Sequence, residues 1–119
     1  MRNRSLLIAV AAMFAFTSQA QTVTDFDGNV YNTVTIGTQV WMKENLKALH
    51  NADGSQITGV YAYANQESNV ATYGRLYTWD AAMYNNTQPS AQGACPSGWH
   101  LPTVAEFDVL LDFLGGEAV

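Results

Sequence analysis

The residues that could do covalent chemistry are few and widely spaced along the chain. There is one cysteine, Cys95, and the nearest histidine that could act as its base is His100, five residues further on. No orienting Asn or Asp and no oxyanion site is indicated beside them. A lone cysteine is more often a small buried hydrophobic residue, so we expect no catalytic residues. In an oxidising compartment, Cys95 could instead pair with a thiol of another chain or of a missing segment.

Possible metal ligands are equally scattered. His50 and His100 stand far apart, without the spacing that zinc sites use. Asp25 and Asp27 belong to an Asp-x-Asp-Gly-Asn segment that is similar to the start of a calcium loop, but the remaining ligand positions and the terminal Glu are missing. We interpret that segment as a plain turn. No Gly-x-Gly-x-x-Gly or Walker pattern is present, so we expect neither a metal nor a cofactor.

Aromatic and amide side chains are the better candidates for ligand contacts. Trp41, Trp79 and Trp99, together with six tyrosines, could stack on sugar rings. Large aromatic side chains more often build a core, and we expect these three to be buried. Amide side chains in the expected loops are more plausible exposed contacts, although ordinary loop polarity explains them equally well. They are Asn65, Gln66, Asn69, Asn85, Asn86 and Gln88.

Composition and charge exclude several classes of protein. Of the 119 residues, 48% are hydrophobic and 13% are charged, a balance typical of a packed domain and not of a disordered chain. Ten acidic residues against five basic ones give a formal net charge of −5. An acidic chain of this kind disfavours a nucleic-acid partner.

The first twenty residues have the regions of a secretory signal peptide. Arg2 and Arg4 precede an apolar run over residues 6–16, and the small residues Ser18 and Ala20 suit cleavage before Gln21. The run is short for a bilayer span, which makes an uncleaved membrane anchor the weaker alternative. We therefore predict a signal peptide over residues 1–20 and an exported protein (extracellular, cell-surface or periplasmic) with a single domain over 21–119. That mature chain has three basic and ten acidic residues, hence a net charge of −7.

A small mixed fold must position these residues. β-branched and aromatic residues over 30–42, interrupted by glycine and threonine at 37–38, predict a β-hairpin or a meander. In its first strand Val30 and Val34 share one face, and Tyr31 and Thr33 share the other. Residues 43–69 have the composition of a loop with one short strand at 60–63, and residues 80–84 favour a short helix.

The clearest local signal is the start of a helix near the end of the chain. Thr103 and Glu106 have the spacing of a capping box, and a double glycine at 115–116 ends the helix. Apolar residues within it recur at spacings of three and four and form one stripe, whereas Glu106, Asp108 and Asp112 face elsewhere. The stripe consists of Val104, Phe107, Leu110, Leu111 and Leu114.

Three stretches of the sequence, taken in order, carry a recognisable family pattern. They are Asp27-Gly28-Asn29-Val30-Tyr31 with Gln39-Val40-Trp41-Met42-Lys43-Glu44-Asn45-Leu46, then Tyr73-Gly74-Arg75-Leu76-Tyr77-Thr78-Trp79, then Cys95-Pro96-Ser97-Gly98-Trp99-His100-Leu101-Pro102-Thr103. Their order and spacing resemble the Fibrobacter succinogenes major paralogous domain over nearly all of the mature chain. The resemblance implies an exported or surface protein of bacteria. It implies no activity, because that family has none assigned.

The segment from Trp79 to Glu106 is also similar to the helix, loop, Leu-Pro, helix passage of C-type-lectin-like and formylglycine-generating-enzyme-like folds. This resemblance implies a compact α+β domain, with an N-terminal β-hairpin and two helices around a small antiparallel sheet. It also implies paired N- and C-terminal strands and ligand loops in the C-terminal half. The copper-binding cysteines of the formylglycine-generating enzymes lie late in that fold and have no matching position here, so the resemblance does not transfer that activity.

Members of the family continue for several strands and loops beyond the position of Val119. We therefore expect the domain to be C-terminally incomplete, with a naturally short variant as the alternative. An incomplete fold would leave the apolar stripe of the last helix partly uncovered and prone to association.

These observations predict an exported, non-catalytic surface or binding module whose ligand is a glycan or a protein. Two alternatives stay open: an enzyme of the formylglycine-generating-enzyme-like fold, and a truncated paralogue without independent function. The sequence identifies neither the ligand nor the oligomeric state.

Overall fold

The computed structural model describes residues 21–116, which form an α+β structure with two small antiparallel sheets and short helices. The signal peptide predicted over residues 1–20 lies outside the described residues. Among the helices that are described, none combines the length and apolar character needed to cross a membrane.

The first sheet has three strands in the order β1 (Thr22–Thr24), β2 (Val30–Ile36) and β3 (Gln39–Met42), each antiparallel to the next. β2 and β3 form the predicted hairpin, with its turn at residues 37–38. β1 was not indicated by the sequence. The alternation of burial along β2 holds over residues 30–34, where Tyr31 is fully buried and Val30 on the other face is 56% exposed. It is lost at Thr35, which is exposed although it shares the face of Tyr31.

The second sheet pairs β4 (Val60–Ala62) with β5 (Arg75–Tyr77), and β4 is the short strand expected near residue 60. The connection between them was expected to be loop as far as residue 69. It holds two turns of 3₁₀ helix, at Tyr63–Asn65 and Glu67–Asn69, which run into the short helix α1 (Val70–Tyr73).

Two further helices complete the described chain. In α2 (Trp79–Met83), close to the predicted position, the Thr78 hydroxyl accepts a hydrogen bond from the Ala81 amide and so caps the first turn. In α3 (Val104–Phe113), both hydrogen bonds of the predicted capping box are present between Thr103 and Glu106. The start of α3 was thus predicted from its capping box, whereas the Thr78 cap of α2 was not predicted and this helix begins one residue earlier than expected.

The core is small and lies between the 46–57 loop, the second sheet and α2. Its buried members are few, and three half-buried side chains pack against them. The buried set is Ala48, Ile57, Ala81 and Ala94, and the half-buried set is Leu46, Val60 and Tyr77.

Neither the tryptophans nor α3 contribute to this core, which corrects the expectation that the tryptophans are buried. Trp79 is 72% exposed, and Trp41 and Trp99 are half-buried. No residue of α3 is buried, and in its apolar stripe Val104 is 79% exposed. Leu110 is half-buried and Phe107 contacts Trp41, so the stripe is partly uncovered among the described residues, as expected for a helix without a complete cover.

Candidate functional site

A cleft of about 570 Å³ opens between β3 and the chain that leads into α3. We call it the Trp41 cleft. One wall is formed by residues 38–42 and 44–46, the other by residues 98–102, and Cys95 and Glu106 complete the lining. Its size is in the ordinary range for small-ligand sites. The two walls are the first and third of the stretches that carry the family pattern.

β3 positions Trp41 and Gln39 on one face, because side chains two residues apart in a strand point the same way. The Trp41 indole nitrogen Nε1 donates a hydrogen bond of 3.0 Å to Gln39 Oε1. Gln39 Nε2 in turn donates one of 3.0 Å to the Glu106 carbonyl oxygen, and the Trp41 ring packs against Phe107 at 5.6 Å between centroids. These contacts fasten α3 to the hairpin and fix the Trp41 ring in the cleft wall.

Glu106 and His100 form the polar rim of the cleft. The Glu106 carboxylate accepts a hydrogen bond of 2.9 Å from the Thr103 amide and lies 2.9 Å from His100 Nε2. The bond from the Thr103 backbone, followed by that from His100, holds the pKa of Glu106 below its usual range. Glu106 is therefore ionised at neutral pH and serves as both helix cap and rim carboxylate.

A second carboxylate, Glu44, lies on the opposite wall. The Asn32 side chain and amide each donate a hydrogen bond of 2.8 Å to it, and this lowers the pKa of Glu44. No Lys or Arg belongs to the lining of the Trp41 cleft. The described lining thus carries two carboxylates and no Lys or Arg, although the charge of the neighbouring Lys43 also acts on Glu44 and lowers its pKa.

Cys95 and His100 both line the cleft, but the structure does not couple them as nucleophile and base. Among the described residues no hydrogen bond joins them, and His100 Nε2 is directed at Glu106. Cys95 is buried and free, and burial raises the pKa of its thiol to about 11. The thiol is thus protonated and unreactive at neutral pH.

The amide side chains proposed from the sequence lie outside the Trp41 cleft and fall into two groups. Asn65, Gln66 and Asn69 belong to the connection between β4 and β5, whereas the other three follow α2. Asn69 Nδ2 donates to the Tyr63 carbonyl oxygen at 2.9 Å, so its side chain has a structural role. The six amides therefore belong to two different connections of the chain.

Backbone geometry explains several of these amides without a ligand. Asn65 and Asn85 have positive φ angles of 54° and 56°, a conformation that Asn tolerates better than most residues. Asn86 Oδ1 accepts a hydrogen bond from the Gln88 amide at 2.9 Å, as in an Asx turn. Gln88 lines a second groove, described next.

This second groove, of about 670 Å³, is called the Trp79 groove. It lies between α2, the 87–91 loop and the start of α3. Its lining is mostly apolar and includes Trp79, Met83, Leu101, Val104 and Phe107. No sequence pattern joined these residues: Trp79 was expected in the core, Val104 and Phe107 in the apolar stripe of the last helix, and Gln88 among the exposed contacts.

The carboxylates of the Asp-x-Asp-Gly-Asn segment accept hydrogen bonds from other groups of the protein, which supports the interpretation of this segment as a turn. The buried Asp25 carboxylate accepts a bond of 2.6 Å from the Tyr31 hydroxyl, and that hydroxyl accepts one of 3.0 Å from the Lys47 amide. Asp27 accepts bonds from the Leu49 and His50 amides. We call these bonds, together with those of Asn29 to Asp25, the Tyr31 network. The described residues hold no cluster of three or more metal-ligating side chains.

Comparison with known proteins identifies one family. The model of the Fibrobacter succinogenes major domain matches residues 34–119, which include both walls of the Trp41 cleft. No curated protein and no solved structure matches the chain.

Proposed function

Because the chain belongs to the Fibrobacter succinogenes major domain family, we propose that it is an exported, non-catalytic binding module with a lectin-like architecture. Export is supported by the signal-peptide pattern of residues 1–20, and the lectin-like architecture by the similarity of the segment from Trp79 to Glu106. The family has no assigned activity, so the ligand must be argued from the Trp41 cleft.

The ligand we propose is an uncharged glycan. The observation that carries this proposal is a single cleft with a half-buried tryptophan on each wall and hydrogen-bonding groups at its rim. Sugars offer an apolar face to aromatic rings and hydroxyl groups to polar side chains, the combination that Trp41 and Trp99 with His100 and Glu106 would serve.

The charges that line the Trp41 cleft limit which glycans could bind there. Glu44 and Glu106 are ionised at neutral pH and no basic side chain other than His100 lines the cleft. Sulfated, phosphorylated or uronic-acid-rich chains would bring like charges to these carboxylates. An uncharged oligosaccharide avoids that repulsion and can donate hydroxyl hydrogen bonds to the carboxylate oxygens.

The absence of catalysis is also a proposal, and the state of Cys95 supports it. A thiol with a pKa of about 11 supplies almost no thiolate at neutral pH. A nucleophilic cysteine would need a lowered pKa or a base within hydrogen-bonding distance. A binding role requires neither.

Titration calorimetry tests the glycan proposal with a panel of uncharged oligosaccharides and a sulfated counterpart. We expect an uncharged oligosaccharide to bind, and Trp99→Ala to weaken its binding by about tenfold, the scale of one aromatic contact. Trp79→Ala is the matched control, since Trp79 is 72% exposed and does not line the cleft. It should change the affinity less than about twofold.

Three results would contradict the proposal. They are an unchanged affinity in Trp99→Ala, preferential binding of the sulfated chain, and no binding of any uncharged oligosaccharide by a chain with native circular dichroism. The export proposal has a separate test, because N-terminal sequencing of the secreted chain should begin at Gln21.

A further inference from the structure

A small cavity lies between the 51–58 loop and α2 with the two residues that follow it. It holds about 90 Å³, and most of its lining residues are polar. The polar ones are Asn51, Gln56, Thr58, Asp80 and Asn85. We call it the Asn51 cavity. It shares no lining residue with the Trp41 cleft or the Trp79 groove, and no residue of α3 lines it. The cavity is therefore separate from the apolar face that a more complete domain would cover.

The volume of the Asn51 cavity limits what could enter it. Pockets that bind whole small ligands usually hold about 300 Å³ or more. A cavity of about 90 Å³ has room for a few water molecules or for one small functional group. An occupant other than water is thus a terminal group on a slender chain, and not a sugar ring or an aromatic ring.

Asn51 has an amide oxygen that the described residues leave without a hydrogen bond. The residue is 4% exposed, and its Oδ1 is buried without a partner. Its Nδ2 donates a hydrogen bond of 3.1 Å to Ser55 Oγ. The Ser55 hydroxyl has a single hydrogen, which it donates to Asp53 Oδ1 at 2.6 Å, so Ser55 Oγ can only accept from Asn51. This fixes which end of the amide faces Ser55, and Oδ1 is the end that lacks a partner.

The same bond directs Oδ1 toward the cavity. Asn51 lines the cavity and Ser55 does not. Because the oxygen and the nitrogen of an amide point in different directions, Nδ2 turned to Ser55 leaves Oδ1 on the side of the cavity. A buried acceptor without a hydrogen bond is unfavourable, and in a native fold it indicates a bound donor.

The charge of the lining indicates which donor fits. Asp80 is its one acidic residue, and no basic residue belongs to it. Among the ion pairs of the described residues Asp80 has no partner. A single carboxylate makes a poor metal site, and the described residues hold no cluster of three or more metal-ligating side chains. A primary ammonium group suits the cavity better, because it has three N–H donors, no acceptor and one positive charge.

We propose that the Asn51 cavity binds a primary alkylammonium group, the terminal group of a lysine side chain or of a free aliphatic amine. The ammonium donates to Asn51 Oδ1 and to the Asp80 carboxylate, and charge-assisted hydrogen bonds of this kind are stronger than neutral ones. Its unbranched alkyl chain leaves through the opening of the cavity. This site is independent of the glycan site proposed in the Trp41 cleft.

The test is a nuclear magnetic resonance titration of the full exported chain with butylammonium, followed at the side-chain amide signals of Asn51. We expect a saturable shift of these signals. Butanol has the same chain without the charge, and butyltrimethylammonium has the charge without N–H donors. Both should bind about tenfold or more weakly.

A short peptide, Gly-Lys-Gly, distinguishes the two sources of the ammonium group. Saturation at a lower concentration of the peptide than of butylammonium would indicate a lysine side chain as the natural ligand. The reverse order would indicate a free amine. Either order supports the proposed chemistry of the cavity.

Matched charge variants separate the cavity from the overall acidity of the chain. Asp80→Asn and Asp108→Asn each remove one negative charge, but Asp108 lies on α3, outside the cavity. Asp80→Asn should weaken butylammonium several-fold, and Asp108→Asn should change its affinity by less than about twofold. The comparison of the three small ligands uses the parent chain, so it stands even if Asp80→Asn destabilises α2.

Four outcomes would overturn the proposal. Asn51 signals that do not respond to butylammonium would assign the cavity to ordered water only. Equal binding of butyltrimethylammonium would reduce the effect to attraction between charges, and equal effects of the two variants would reduce it to net acidity. Saturation by calcium at a lower concentration than by butylammonium would assign the cavity to a metal ion.

Discussion

Two regions of this chain differ in which kind of side chain they bury. The Tyr31 network buries polar groups, and its carboxylate at Asp25, only 8% exposed, receives hydrogen bonds from Asn29 and Tyr31. The face formed by Trp79 and α3 does the reverse, since its apolar side chains are exposed and no residue of α3 is buried.

The difference shows that the well-packed part of this chain cannot be located from the positions of its apolar residues alone. Buried polar groups are stable only when they are hydrogen-bonded, so the Tyr31 network favours one conformation of the 25–50 segment. The Trp79–α3 face contributes contact surface and little to the core. Substitutions should therefore act on stability in the first region and on association in the second.

The largest effect on stability should come from a position beneath the exposed face. Stability is therefore not confined to the region of the Tyr31 network. Gly93 has a positive φ of 55°, and a Cβ added there would overlap the Ala82 carbonyl oxygen. Because Ala82 also accepts the Ala94 amide hydrogen bond, we expect Gly93→Ala to cost about 3 kcal/mol or more of unfolding free energy. Urea denaturation measures the loss.

Gly98→Ala is the control for Gly93→Ala. Gly98 also has a positive φ, of 85°, but a Cβ added there would meet no atom within 4 Å. Only the backbone strain remains, at about 1 kcal/mol. Equal losses in the two variants would show that the support beneath the groove is no tighter than an open loop.

The next largest effect should arise in the Tyr31 network. Tyr31→Phe removes the hydroxyl that donates to Asp25 and accepts from the Lys47 amide. A buried carboxylate that loses a hydrogen bond typically costs about 2 kcal/mol. Tyr61→Phe, at a 55% exposed tyrosine, should change the unfolding free energy by less than about 0.5 kcal/mol. Similar small losses in both variants would contradict the stabilising role of the network.

A smaller effect is expected at the start of α3. Thr103→Ala removes the side-chain oxygen that accepts the Glu106 amide hydrogen bond at 3.1 Å. Loss of an N-cap typically costs about 1 kcal/mol. Thr103→Ser keeps the capping oxygen and should stay within about 0.5 kcal/mol of the parent chain in thermal unfolding. If the two variants unfold alike, α3 is held by its contacts with the hairpin and not by its cap.

The smallest effect has the opposite sign. Asp112→Asn removes a like charge from Asp108 and an unfavourable charge from the helix end, so it should stabilise the chain by about 0.3 kcal/mol. The gain should disappear at high salt. Precise thermal unfolding at two salt concentrations measures it, and destabilisation at low salt would show that Asp112 has a stabilising partner in the fold.

Local features of the fold could be predicted from the sequence because their causes lie within a few residues. The capping box at Thr103 and Glu106 depends on a spacing of three, and the β2–β3 hairpin on an alternating pattern around one turn. The location of buried surface could not be predicted, since it depends on what packs against each face. Residue type alone suggested that Trp79 is buried, and it is largely exposed.

The candidate site was harder to predict from the sequence than the local features of the fold. Gln39 and Glu106, which join the walls of the Trp41 cleft, are 67 residues apart, and no periodic pattern connects them. Asn65 and Asn85 attracted attention as loop amides, yet their positive φ angles account for them. The useful signal was the set of family-like stretches, because the first and third of them form the two walls.

The long sequence separation of the Gln39–Glu106 contact also predicts the order in which contacts form during folding. Contacts within the Tyr31 network close loops of 4 to 23 residues, whereas docking of α3 must close a loop of 67. Because short loops close at a lower entropic cost, we expect the helix to dock last as the chain folds. With no buried residue of its own, α3 should also detach first, and its amides should exchange with deuterium long before those around Tyr31.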